Sequence, residues 1–202
     1  MDLNELWAKI ETAGPLESTD DLPDPPIGAD EDGWREREAQ QYDRRRTFFA
    51  LYAWAVPTRR AIAAIKSFIG DRKLLEVCAG QGLWARLLSA ANVDVLATDG
   101  SDDTRAEHFP VTIQEAEASV RAHPDRTALM FCWPPFKSDC AYRALRAFAG
   151  DCLVYVGDAR FTADDQFHSL LASDWTLCER ILIPAWPGLD DYTHLYRRGD
   201  QR

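Results

Sequence analysis

A glutamate, two glycines and an aspartate carry the most specific chemical signal in this 202-residue chain. Glu76 lies in the run Leu74-Leu75-Glu76-Val77-Cys78-Ala79-Gly80-Gln81-Gly82, and Asp99 follows seventeen residues after Gly82. Gly80 and Gly82 let a backbone come close to a ligand, because glycine carries no Cβ and accepts positive φ. In dinucleotide-binding proteins such a turn, set before a helix, cradles pyrophosphate. Glu76 alters that expectation: its carboxylate repels phosphate and attracts ammonium and hydroxyl donors. Asp99 closes the next apolar run, where an acid can accept both hydroxyls of a ribose. The combination points to a nucleoside-bearing cofactor without phosphates.

These residues need a frame that alternates strands with helices. Leu74–Cys78, Val93–Thr98, Val111–Ile113, Ala128–Cys132 and Cys152–Val156 are short apolar runs that read as strands. Between and around them, Thr58–Phe68, Leu83–Ala91, Glu115–Ala122, Asp139–Ala149 and Phe167–Ala172 carry helical patterns. Such alternation predicts an α/β fold, a mostly parallel sheet with helices on both faces. Two closing strands, Trp175–Ile183 and Tyr192–Arg197, are joined by a loop too short for a parallel crossover, so they form an antiparallel hairpin. Upstream, residues 2–12 read as a short amphipathic helix and 13–29 as a linker rich in Pro, Gly and Asp. A further helix runs from about Trp34 to Trp54 and stops at Pro57. The organisation expected is an acidic amino-terminal helix and linker (1–29), a helical cap (30–57) and a core domain (58–202).

On those motifs, LLEVCAGQG followed by DVLATDG resembles the cofactor segments of the Rossmann-like (class I) S-adenosylmethionine-dependent methyltransferases, small-molecule type. Trp133-Pro134-Pro135-Phe136, after the fourth strand, resembles the Asn/Asp-Pro-Pro-Tyr/Phe segment of their amino-methylating members. The resemblance spans about residues 58–198 and implies a seven-stranded sheet ending in an antiparallel hairpin. It also implies that Glu76 lies near the methionine ammonium, with the Ala79–Gly82 backbone and Cys78 against methionine and ribose. Asp99 would hold the ribose hydroxyls, and Gly100 and Ser101 would line adenine. Glu115 would read the adenine amino group, Ala116 would lie beneath the ring, and Cys132 and Trp133 would meet the methionine end. Two positions depart from the pattern. Cys78 stands where the first turn glycine belongs, and Trp133 replaces the Asn or Asp that would hold a target amine.

Substrate-facing groups are expected beyond the carboxyl ends of the strands. Tyr52, Trp54, Trp133, Phe136, Tyr155 and Trp186 are candidates for an aromatic-lined pocket, with Asp158, Trp133 and His194 as candidates for the reacting centre. Trp84, after the turn, either joins that pocket or packs its helix on the sheet. A sulfonium already activates its methyl group, so direct SN2 transfer asks the protein mainly for alignment, with a base if the nucleophile arrives protonated. The reading is a methyltransferase acting on a small, partly aromatic or apolar metabolite. Alternatives are a methyltransferase for a protein or nucleobase amine, and a non-catalytic module that binds the cofactor or regulates a partner. A nicotinamide oxidoreductase is disfavoured by Glu76 and by Leu83-Trp84-Ala85 where GxGxxG would continue.

Composition narrows the classes further. The net charge of -10 is concentrated at the amino terminus, where residues 1–32 hold ten acids and one base, Lys9. Of 33 acids and 23 bases, the rest of the chain keeps 23 and 22, so its body is nearly neutral. One basic triplet, Arg44–Arg46, is a meagre footprint for nucleic acid. Five cysteines without a CxxC pair suit a reducing, cytoplasmic setting. No apolar run approaches the roughly 20 residues that span a bilayer. The four histidines show no HExxH spacing and no metal is expected; GK[ST] and GxSxG are also absent.

Overall fold

Every element that positions the glycine turn is built from a short apolar run flanked by breakers, and the computed structural model describes residues 1–15, 42–101 and 108–199. The strands are β1 (Leu74–Val77), β2 (Val95–Asp99), β3 (Val111–Ile113), β4 (Ala128–Cys132), β5 (Cys152–Gly157), β6 (Trp175–Leu182) and β7 (Tyr192–Arg198). The helices are α1 (Leu3–Ala13), α2 (residues 42–51), α3 (Arg59–Ile69), α4 (Leu83–Ala90), α5 (Ala116–Ala122), α6 (Cys140–Ala147) and α7 (Asp165–Asp174). Seven strands form one sheet in the order β3-β2-β1-β4-β5-β7-β6. β1, β4 and β5 are buried at every position, which is why they read as near-continuous apolar runs, interrupted in β1 by Glu76, rather than as alternating ones.

The expected fold class is the observed one. β1 pairs in parallel with β2 and β4, β2 with β3, and β4 with β5. β7 enters antiparallel between β5 and β6, as the short connection required, and a register shift between Leu177 and Glu179 kinks the edge strand β6. The limits of β3 and β4 are as expected, and those of the other elements, within the described residues, differ by at most three residues. The Asp164 carboxylate accepts from the Phe167 amide and so starts α7 earlier than the apolar pattern shows.

Two layers cover the sheet. On one side Leu74, Met130, Cys132, Val154, Val156 and Leu195 pack against α1, α2, α3 and α4; on the other Leu75, Val77, Phe131, Leu153 and Tyr155 pack against α5, α6 and α7. The amino-terminal helix joins the first layer. Leu6, Trp7 and Ile10 are buried, Arg59 lies over the Trp7 ring, and the Arg44 guanidinium donates to the Thr12 and Gly14 carbonyls.

α2 stops at residue 51, short of Trp54, and its expected beginning near Trp34 lies outside the described residues. Its last carbonyls find partners elsewhere: Ala50 accepts from the Gln81 side chain, and Leu51 from His108 Nε2 at 2.7 Å. Among the described residues no helix is long and apolar enough to cross a membrane.

Trp186 is fully buried, with its ring 5.8 Å from that of Phe48. Trp186→Ala is expected to lower stability by about 3–5 kcal/mol in urea unfolding. A change below about 1 kcal/mol would show that this ring does not hold α2 on the sheet.

Candidate functional site

The strand order reverses at β1, so the chain segments leaving β1 and β4 diverge at their carboxyl ends, where open α/β sheets ordinarily bind ligands. The glycine turn leaves β1 there. Cys78, Gly80 and Gly82 all have positive φ, at 56°, 53° and 77°. At Gly82 a Cβ would come within 2.8 Å of the Phe109 Cβ, so the approach of the β2–β3 connection also demands glycine. At Gly80 a Cβ would meet nothing within 4 Å, and the backbone faces open space. Cys78 takes the same left-handed conformation with a side chain present, a conformation uncommon outside glycine. Its thiol meets that of Cys140 at the start of α6, an interaction that lowers Cys140 to about 6 and raises Cys78.

Asp99 ties the turn to β2. Its Oδ2 accepts from the Gly80 amide and its Oδ1 from the Ser101 amide, each at 2.8 Å. Gly100 follows, with room for a Cβ only 3.1 Å from the Glu115 carboxylate. Glu115 is exposed while Ala116 is buried. The groups expected to line a nucleoside, Ala79 to Gly82, Asp99 to Ser101 and Glu115-Ala116, are thereby joined by direct contacts.

Glu76 is the outlier in polarity. It is fully buried, and among the described residues neither carboxylate oxygen has a hydrogen-bond partner. Burial pushes its carboxyl up to about 8; the Ala85 amide, facing it short of bonding geometry, opposes the rise and Asp99 adds to it. Cys132, nearby on β4, is buried and its thiol is raised by that burial.

The end of α2 covers the turn. Tyr52 packs against Phe48 at 5.0 Å and stacks on His108 at 5.7 Å, while the Trp84 indole donates to the Ala55 carbonyl. Trp84 is itself buried and packs α4 on the sheet. Trp54 is 49% exposed; its ring stacks on Trp133 at 5.5 Å and lies 4.2 Å from Phe49.

Trp133 leaves β4 with φ 49°. Its amide donates to the Val156 carbonyl, and the bend after it is pinned where Ala163 donates to the Pro134 carbonyl. The indole Nε1 donates to Asp191 Oδ1 at 2.9 Å. Asp191 was not singled out among the sequence candidates. It is fully buried, its Oδ2 has no partner among the described residues, and burial raises its carboxyl to about 7, opposed by the Trp133 hydrogen bond. Arg45, one of the basic triplet that the sequence offers only as a meagre nucleic-acid footprint, lies over the Phe49 ring at 5.0 Å. The only sequence signal for Asp191 is the acidic pair Asp190-Asp191 after Gly188-Leu189, in a loop where acids are ordinarily solvated.

Other candidates lie elsewhere. Asp158 is buried with both oxygens committed, to Arg160 and to the amides of Arg160 and Asp190. Burial alone would raise its carboxyl, but those donors together hold it below the ordinary range. Tyr155 points into the opposite layer, where its hydroxyl bonds Thr162 and its ring meets Phe167. His194 stacks on Tyr155 at 5.3 Å, on that same side, and burial lowers it to about 4, so it is neutral at ordinary pH. Trp186 is core, and Phe136 is 53% exposed beside Phe161. Two open clefts, of about 290 and 270 Å³, border α5 and α6 in one case and α1 and Pro184 in the other, and neither includes Asp99 or Trp133. Among the described residues no cluster of three His, Cys, Asp or Glu could hold a metal.

No protein-family model matches the sequence, and no curated protein is similar to it. Solved structures do match. A candidate S-adenosylmethionine-dependent methyltransferase from Streptococcus mutans superposes with a TM-score of 0.51 at 7% identity, over 70% of this chain but only 49% of the other. Magnesium protoporphyrin IX methyltransferase from Synechocystis gives 0.53 at 10% identity, over 69% of this chain and 77% of that one. The 1,6-didemethyltoxoflavin-N1-methyltransferase of Burkholderia thailandensis gives 0.53 at 14% identity, over 92% and 94%. The chain thus spans about half the length of the first of these and nearly all of the last. At such identities the likeness is one of fold: the chain has the Rossmann-like sheet on which these methyltransferases are built.

Proposed function

We propose that the chain is an S-adenosylmethionine-dependent methyltransferase acting on a small, partly aromatic or apolar molecule. The observation that carries this is Glu76, a fully buried carboxylate with neither oxygen partnered, directly before a glycine turn. A buried acid without partners is costly unless a ligand supplies the missing donors or the counter-charge. The ammonium of the methionine moiety supplies both, and a phosphate supplies neither. Resemblance between the motifs and the methyltransferase cofactor segments supports the same reading, as does the shared fold.

In this reading Glu76 faces the ammonium, and Cys78, Ala79, Gly80 and Gly82 present backbone to methionine and ribose. Asp99 keeps lone pairs for the ribose hydroxyls after binding the Gly80 and Ser101 amides. Gly100, Ser101, Glu115 and Ala116 border adenine, and Cys132 meets the methionine end. The cofactor supplies an activated methyl group when bound. The chain's own contribution is to align the acceptor and to exclude water, for which the Phe49, Trp54 and Trp133 rings are suited. Residues 30–57 then serve as the cap and 58–202 as the cofactor-binding body. The Burkholderia enzyme, whose name gives a small ring compound as substrate, agrees with a small acceptor.

Calorimetric titration is expected to show binding of S-adenosylmethionine and none of NAD; no heat and no thermal stabilisation from either would remove this reading. Asp99→Ala is expected to weaken S-adenosylmethionine more than about tenfold, through loss of a charge-assisted hydroxyl pair. Wild-type affinity in that variant would refute the ribose role.

A second test uses stability. The Glu76 carboxyl is held at about 8 in the folded chain against an ordinary 4.5. Between those values the folded chain holds the extra proton, so its stability is present at low pH and is lost as pH rises toward 8. Cofactor-free Glu76→Gln is expected to melt at least ~3 °C above wild type at pH 8, with the difference shrinking toward pH 5, while its cofactor affinity falls. A variant that melts lower at pH 8 and binds the cofactor normally would contradict both parts.

A further inference from the structure

Trp133 stands where a side-chain acceptor would hold a methyl-accepting group, yet an acceptor is present, delivered by another loop. Asp191 precedes β7, is 0% exposed, and gives only Oδ1 to the Trp133 indole at 2.9 Å. Its Oδ2 is buried and unpartnered among the described residues, as is the Nε of Arg45. Arg45 lies over Phe49, Phe49 lies 4.2 Å from Trp54, and Trp54 stacks on Trp133. A half-satisfied carboxylate, a guanidinium whose Nε is buried without a partner among the described residues, and a chain of ring faces are therefore linked in series. The neighbouring acid Asp158 is unlike this, since its oxygens are all committed.

We propose that Asp191, with the aromatic faces of Trp54 and Trp133, binds a planar ring through its N–H or O–H and takes that proton when the ring is methylated. The inference deepens the methyltransferase reading and rests on it. Arg45 balances the charge of Asp191, so the site suits a neutral ring better than a cation. The balance of the step is simple. A new bond forms between the methyl carbon and the ring nitrogen or oxygen, replacing the sulfur–carbon bond, whose electron pair stays on sulfur. The ring's proton passes to Asp191 Oδ2, the oxygen that the Trp133 indole leaves unpartnered. Trp133 is then a positioning residue as well as a wall, because its indole N–H fixes which oxygen of Asp191 is left open. The charged and titratable groups that face Asp191 are Arg45 from α2, Asp158 at the end of β5, and Asp190 beside it. Cys132 on β4 and Tyr155 on β5 also feel its charge.

Two probe pairs test this: 4-hydroxyquinoline against 1-methyl-4-quinolone, and 2-naphthol against 2-methoxynaphthalene. Binding is read by ligand-observed NMR on the full chain, with and without S-adenosylhomocysteine. At pH 8 at least one donor-bearing ring is expected to bind roughly tenfold more tightly than its methylated counterpart. Asp191→Asn keeps an oxygen for the Trp133 indole and removes the charge, and circular dichroism checks its fold. This variant is expected to lose that preference while binding S-adenosylmethionine within twofold of wild type. In wild type the preference should grow as pH rises through about 7, where the carboxyl ionises, and should be flat in the variant. Failure of both donor-bearing rings to bind, or an unchanged preference in Asp191→Asn, would overturn the proposal. A wild-type chain that binds the rings but not S-adenosylmethionine would instead remove the methyltransferase reading and leave the ring site standing.

Discussion

The reversal of strand order at β1 is the constraint from which the rest of the site follows. β1 is hydrogen-bonded in parallel to β2 on one side and to β4 on the other. All three strands end at the same edge, so the glycine turn, Asp99 and Trp133 emerge as neighbours although 57 residues separate Cys132's successor from Glu76 along the chain. Parallel pairing also buries β1 on both faces, and that is what places the Glu76 carboxylate in apolar surroundings. The turn can close only because Gly82 leaves space for Phe109 and because Asp99 reaches back to the Gly80 amide.

Acids at this edge divide into two kinds. Asp99 and Asp158 have both oxygens engaged, and each braces a loop: the glycine turn in one case and the β5–α7 connection against residues 188–190 in the other. Glu76 and Asp191 are deeper and under-satisfied, with carboxyls raised to about 8 and about 7. Buried acids are ordinarily hydrogen-bonded, so this unsatisfied pair stands apart from the acids that brace loops. Their surroundings also differ. Glu76 has a strand and helix on either side, whereas Asp191 has a tryptophan N–H and an arginine, a more polar setting for a proton to come and go.

Aromatic residues join these two regions. Phe48, Phe49 and Trp186 hold α2 against the sheet, and the carbonyls at the end of α2 are bonded by Gln81 and His108 beside the glycine turn. The cap is therefore coupled to the turn by hydrogen bonds and to the Trp133 wall by ring stacking. A displacement of α2 alters both at once.

Much of this was legible in the sequence because it is local. A short, mainly apolar strand, a glycine turn and an acid at the next strand end each constrain backbone over a few residues, and the short 183–191 connection forces an antiparallel hairpin. Those features determined the fold class and the place of Asp99 at the end of β2, next to the glycine turn. What tertiary structure decided is which side of the sheet a residue faces and what it meets there. Trp186 and Tyr155, plausible pocket rings by position, are core; His194 stacks on Tyr155 in the opposite layer. Asp191 reads as an ordinary loop acid until Trp133, 58 residues away, is seen donating to it. No local propensity encodes such a meeting. It arises from strand order and loop placement, which bring distant side chains together only once the whole sheet has formed.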